Sequence, residues 1–168
     1  VNCGQICVSP DYALVPRESV DAFIAGVKAT FQRFYGARTD GNENYTAVVH
    51  DRHHQRMLKM LDDARAKGAR VEACAPLPSG AGRQMPLHIV THMTPDMLVM
   101  KDELFGPILP VVPYDTMDEA IAFINARHRF ADRYSAQDEG KRVSEAELAK
   151  FRGEWHRCFN ELVESIRF

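Results

Sequence analysis

The first place where this sequence could do chemistry is the thiol that closes the run Asn2-Cys3-Gly4-Gln5-Ile6-Cys7. Cys7 follows Gly4-Gln5 in a stretch too polar and glycine-containing for a core strand, just ahead of an apolar run. A cysteine on such a turn can be exposed and approached by backbone N–H groups, which activate a thiol and stabilise a developing oxyanion. A free cysteine is also often a small buried hydrophobe. On spacing alone both readings of Cys7, reactive and structural, stay open. The second place is Asp102-Glu103-Leu104-Phe105-Gly106-Pro107. A carboxylate two residues before an aromatic ring, closed by Gly-Pro, predicts a rigid turn presenting Glu103 and Phe105 in one direction. Taken alone it is a turn before a strand.

The histidines are weaker signals. His50 and His54 have the i, i+4 spacing of a metal-binding pair beside His53, but no Cys, Asp or Glu completes a zinc pattern. Solvent-exposed histidines and no metal site are expected there. His88 and His92 would share a face if their strand continued, and packing or surface roles are expected for them too. There is no glycine-rich phosphate loop and no serine-centred nucleophile elbow.

These residues need elements to position them. Tyr12 to Val15, closed by Pro16, reads as a buried strand. Val20, Phe23, Ile24, Val27, Phe31 and Phe34 then form one helical stripe that stops before Gly36. Residues 36–46 read as loop. A second helix is predicted from about Asp51 to Lys67, with Met57, Leu58, Leu61 and Ala64 inward and Gly68 as its stop. Strands are expected at Arg70 to Cys74, Leu87 to Thr91 and Ile108 to Val112. Thr116 and Glu119 mark a capping box that opens a helix burying Ala120, Ile121 and Ile124. Alternating strands and helices predict an α/β fold, a mainly parallel sheet with flanking helices.

The composition changes after about Phe130. Residues 131–168 hold 15 charged side chains in 38, against 29 in the preceding 130, and carry no strand signal. Ser144 and Glu147 make another capping box. Leu148, Phe151, Trp155, Phe159, Leu162, Val163 and Ile166 follow at helical spacing, which predicts a C-terminal amphipathic helix. Its apolar stripe is expected to dock on the α/β core or on a second subunit, so that residues 144–168 could pair two copies. The opposite face is mixed in sign, which disfavours a membrane surface.

With 168 residues, 45% apolar and 26% charged, the chain has room for one ordinary domain and is neither disordered, collagenous nor coiled coil overall. The net charge of −2 gives no reason to expect nucleic acid or an anionic membrane as partner. No apolar run approaches the length of a bilayer span, and no signal-peptide layout opens the chain. Four cysteines are too few and too scattered for a disulfide scaffold, so a reducing, cytoplasmic setting is expected. The opening, with no leading Met, reads as cut into a longer sequence.

Taken together, Asn2-x-Gly4-Gln5-x-Cys7 with Ser9-Pro10-Asp11-Tyr12, and Glu103-x-Phe105-Gly106-Pro107 about a hundred residues later, resemble the aldehyde dehydrogenase superfamily. Within it the likeness is to the branch holding coniferyl aldehyde dehydrogenase and the class-3-type fatty and aromatic aldehyde enzymes. It covers residues 1–129 and divides the chain into a catalytic-domain piece, 1–129, and a charged helical tail of unrecognised origin, 130–168. The resemblance implies that the Cys7 thiolate attacks an aldehyde carbon to give a thiohemiacetal, with the Cys7 N–H as one oxyanion donor. Hydride then passes to NAD or NADP, and the thioester is hydrolysed. It also implies that Glu103 hydrogen-bonds the nicotinamide ribose and that Phe105 packs beside the nicotinamide. In this family the dinucleotide-binding domain, the glutamate general base and the oxyanion-hole asparagine lie in an N-terminal half that does not match this sequence. The chain alone is therefore not expected to hold the cofactor or to turn over. Two functions follow: a fragment of an NAD(P)-dependent aldehyde dehydrogenase, or a non-catalytic remnant acting at most as an interaction module.

Overall fold

A computed structural model describes residues 2–7, 9–78 and 82–126. It divides into a unit Val1–Thr116 and a unit beginning at Met117. The first unit holds β1 (Ala13–Pro16), α1 (Val20–Tyr35), α2 (Asp51–Ala66), β2 (Arg70–Ala73), β3 (His88–Thr91) and β4 (Ile108–Tyr114). The four strands form one sheet in the order β1-β4-β3-β2. β1 and β3 both run parallel to β4, and β2 pairs antiparallel with β3 at the edge. This is the expected α/β fold with a mainly parallel sheet and flanking helices, with one antiparallel edge strand.

Burial follows strand position. All four residues of central β3 are buried, as in a sheet covered on both faces, whereas edge strand β2 is only partly covered. Val15, Ile89 and Val111 from three strands meet Ile24 and Phe31 of α1 with Tyr45, Cys74 and Ala75 in one core cluster. Lys28 of α1 pairs with Glu72 on β2, which also takes Arg70 at 2.7 Å. The α1 stripe has one exception. Phe34, in the last turn, is 55% exposed, and the Arg33 guanidinium lies over its ring at 5.0 Å.

Helix α2 buries Met57, Met60, Leu61 and Ala64, so Met60 takes the inward place expected of Leu58, which is half-buried. Its start is capped by His50, whose Nδ1 accepts the His53 N–H at 3.0 Å. Its end is a paired closure at Gly68, φ +91°. The Gly68 N–H reaches the Arg65 carbonyl at 3.0 Å and the Ala69 N–H reaches the Ala64 carbonyl at 2.9 Å, which only a left-handed residue permits.

In the second unit α3 (Met117–Ala126) is helical as expected and buries Ala120. The tail at 130–168, its amphipathic helix, Cys158 and the pairing of copies through 144–168 lie outside the described residues. Among the described residues no helix is long and apolar enough to cross a membrane.

Candidate functional site

The parallel pairing of β1 and β4, Ala13 against Val111, joins two segments a hundred residues apart. The 2–12 segment leads into β1 and the 102–107 segment leads into β4. Parallel neighbours have their N-terminal ends at the same edge of the sheet, so both sequence motifs are delivered there. Two contacts show that they meet. The Leu104 N–H donates to Asp11 Oδ1 at 3.0 Å. A Cβ on Gly4 would stand 2.5 Å from the Gly106 carbonyl oxygen, so the two backbones are in close apposition.

The Cys7 segment opens on three consecutive left-handed residues, Asn2, Cys3 and Gly4, with φ of 49°, 56° and 72°. Such φ values cost a non-glycine residue roughly 1–2 kcal/mol, less for Asn. Hydrogen bonds hold them in place. The Asn2 side-chain amide donates to the Gln5 carbonyl at 3.0 Å, and the Gln5 N–H returns to the Asn2 carbonyl at 3.0 Å. Gln5 itself is 7% exposed and ties the turn to the loop ahead of α2. Its Nε2 donates to the Ala47 carbonyl at 3.1 Å, and its Oε1 accepts the Val49 N–H at 2.8 Å. A second turn follows, closed by the Ser9 N–H on the Ile6 carbonyl at 3.0 Å, and Cys7 is exposed on it.

The other described thiols sit differently. Cys3 is half-buried, its Sγ 3.6 Å from the Tyr45 hydroxyl, and burial pushes its pKa up. Cys74 is buried in the core cluster, and burial raises its pKa to about 11. A neutral buried thiol is a poor nucleophile. Among the described thiols, Cys7 is the accessible one.

The 103–107 segment is not a simple extended lead-in. Glu103 is exposed, Leu104 buried, Phe105 half-buried and Gly106 buried, and Phe105 takes a left-handed φ of 51°. Side chains of α2 grip its backbone. His53 Nε2 lies 2.7 Å from the Phe105 carbonyl, and Arg56 donates to the carbonyls of Leu104 at 3.0 Å and Glu103 at 2.5 Å. A Cβ at Gly106 would meet Met57 Sδ at 2.5 Å, so α2 packs directly on the turn.

The histidines follow expectation except at His53 and His54, which are half-buried, while His88 packs inside and His92 lies at the surface. His50 is exposed and also caps α2, whereas His53 is half-buried against Phe105. His88 is fully buried, its Nδ1 2.7 Å from the Pro86 carbonyl, and desolvation pulls its pKa down to about 4. His92 is exposed at a φ of 57°, and the pair does not share a face. Among the described residues no cluster of three or more His, Cys, Asp or Glu could hold a metal. Sequence reasoning missed Gln5, His53 and Arg56. The one signal for the last two was their i, i+3 spacing on the polar side of α2, which spacing alone does not connect to residue 105.

The family model of the aldehyde dehydrogenase family matches residues 1–130. The chain is 45% identical over 133 residues to the "Probable coniferyl aldehyde dehydrogenase" of Caulobacter vibrioides, covering 77% of this chain and 27% of that protein. Among solved structures it is similar to the substrate-bound AldH of Staphylococcus aureus, with a TM-score of 0.66 and 32% identity over 74% of this chain and 26% of that one. The betaine aldehyde dehydrogenase of Staphylococcus aureus in complex with NAD+ shares the fold, with a TM-score of 0.62 and 23% identity over 74% of this chain and 26% of that one. The chain belongs to the aldehyde dehydrogenase family. It spans about a quarter of the length of the relatives it matches.

Proposed function

We propose that this chain carries the thiol and the nicotinamide-side loop of an NAD(P)-dependent oxidation of aldehydes, coniferyl and other aromatic aldehydes foremost. The observation that supports this most is the exposure of Cys7 beside a strained turn pressed against the loop of Glu103 and Phe105. In this reading the Cys7 sulfur attacks the aldehyde carbon, an S–C bond forms, and the carbonyl π pair moves onto oxygen. The Cys7 N–H is one donor to that oxygen. Glu103 and Phe105 would hold the nicotinamide end of NAD(P)+, which would supply the hydride acceptor, so that the carbon on Cys7 would be left as a thioester. Water cleaves the C–S bond, releasing the acid and returning the thiolate.

The residue types suit the nicotinamide-ribose end of the cofactor. Glu103 is an exposed carboxylate, able to accept two ribose hydroxyls, and the half-buried Phe105 offers a flat ring beside it. Limited alkylation tests the nucleophile. Benzaldehyde added before iodoacetamide should slow labelling of Cys7 and leave Cys3 unaffected, read by peptide mass spectrometry. Equal rates at Cys7 with and without the aldehyde would count against the reading.

A further inference from the structure

Three successive carbonyls, those of Glu103, Leu104 and Phe105, all receive donors from one face of α2. In an extended strand successive carbonyls point to alternate sides, so such a set requires the chain to curl. The left-handed φ of 51° at Phe105 is that curl. His53 and Arg56, at i and i+3, are neighbours on the helix surface. His53 also meets the Phe105 ring edge-on, with centroids 6.5 Å apart, so one imidazole touches both the backbone and the ring of that residue. On the far side, Asp11 accepts the Leu104 N–H.

We infer that His53 and Arg56 are positioning residues that hold the 103–105 backbone so that Glu103 and Phe105 face the nicotinamide end of the cofactor, an inference that rests on the proposed function. The carbonyl of Phe105 can only accept, so His53 donates through Nε2–H. Arg56 supplies two N–H groups in a fixed fork to two adjacent carbonyls, an arrangement a lysine cannot reproduce. The loop's own sequence favours no such conformation at Phe105, since aromatic residues do not ordinarily occupy positive φ.

Residue-resolved amide exchange on the 168-residue chain tests the clamp. The Leu104 N–H reports the loop; the Cys74 N–H, bonded to the Leu87 carbonyl, reports the sheet. His53→Leu is expected to speed Leu104 exchange by about two- to tenfold, and Arg56→Met by about tenfold or more, as loss of one neutral and of charged hydrogen bonds implies. Cys74 should be unchanged in both. His53→Gln keeps an N–H donor within reach and should restore slow exchange at Leu104, whereas Arg56→Lys should restore it only in part. Nicotinamide mononucleotide, which carries only the one end of the cofactor, is titrated in parallel to high concentration, because the chain is not expected to hold the whole dinucleotide and needs to show only weak contact of that end with Glu103 and Phe105. Shift changes at Glu103 and Phe105 that fade in His53→Leu and return in His53→Gln support the inference. Unchanged Leu104 exchange in both His53→Leu and Arg56→Met, or equal loss in His53→Leu and His53→Gln, overturns it. If the wild-type chain shows no nucleotide response, the cofactor reading fails, and the exchange pattern still decides the clamp.

Discussion

Replacing Gly4 by alanine probes the apposition of the two motifs. Gly4 has a φ of +72°, and its new Cβ would stand 2.5 Å from the Gly106 oxygen and 3.0 Å from the Gly106 carbon. Two penalties therefore combine. The left-handed backbone costs alanine roughly 1–2 kcal/mol. The collision is with backbone rather than a flexible side-chain end, and overpacking of this kind costs about 1–3 kcal/mol. Gly41 supplies the comparison, since it has the same φ of +72° with nothing within 4 Å of the added Cβ. Gly41→Ala should show the backbone penalty alone, and the unfolded-state effect of Gly→Ala cancels between the two variants. Taking a urea slope of about 2 kcal/mol/M, Gly4→Ala should lower the unfolding midpoint by roughly 0.5–1.5 M more than Gly41→Ala does. Far-UV circular dichroism follows the transition. Alkylation of Cys7 should also change in rate in Gly4→Ala and stay constant in Gly41→Ala. Equal midpoints for the two variants would refute the claim that the turn is wedged against residue 106.

Limiting iodoacetamide should label Cys7 before Cys3 and Cys74, because the latter two are covered and burial raises their pKa values; preferential modification of either would contradict this. The 168-residue polypeptide by itself should form no reduced nicotinamide from benzaldehyde and NAD+ or NADP+, since Glu103 and Phe105 suit only one end of the cofactor and correct positioning can lower such a barrier by roughly 7–11 kcal/mol; steady turnover lost in Cys7→Ala would refute it. His88 should make the fold acid-sensitive. Its folded pKa of about 4 lies below the 6.5 of an unburied histidine, so the unfolded chain binds the extra proton first as pH falls. Stability is thus full above pH 6.5 and drops on acidification, by about 2 kcal/mol between pH 6.5 and about pH 5. His88→Gln should flatten urea midpoints measured across that window, and a slope equal to wild type would show that His88 does not carry it.

Much of the fold was legible because it rests on periodicity. The stripe from Val20 to Phe31 and the stop at Gly68 are local statements, decided by which side chains fall on one helix face and by which residue tolerates a positive φ. The strand at Ile108 was legible in spite of Pro110, which pairs with Val90 within the sheet, and extends to Tyr114. Phe34 and Leu58 were misplaced because a stripe gives a direction and not the extent of the surface it meets.

The sequence by itself determined the family, through Gly4-Gln5-x-Cys7 and Glu103-x-Phe105-Gly106-Pro107, and it determined an α/β class through its alternating patterns. Tertiary structure alone decided how those motifs meet. Strand order is a non-local property, and nothing in residues 2–16 states that β1 will lie beside β4, or that Asp11 will accept from Leu104. The same holds for the side chains that fix the site. Gln5, His53 and Arg56 all bond to backbone carbonyls or N–H groups at distant positions, and a carbonyl carries no residue identity that a sequence pattern can register. Burial likewise separated thiols that look alike in one dimension, leaving Cys7 exposed on its turn while Cys3 and Cys74 were drawn into low-dielectric surroundings.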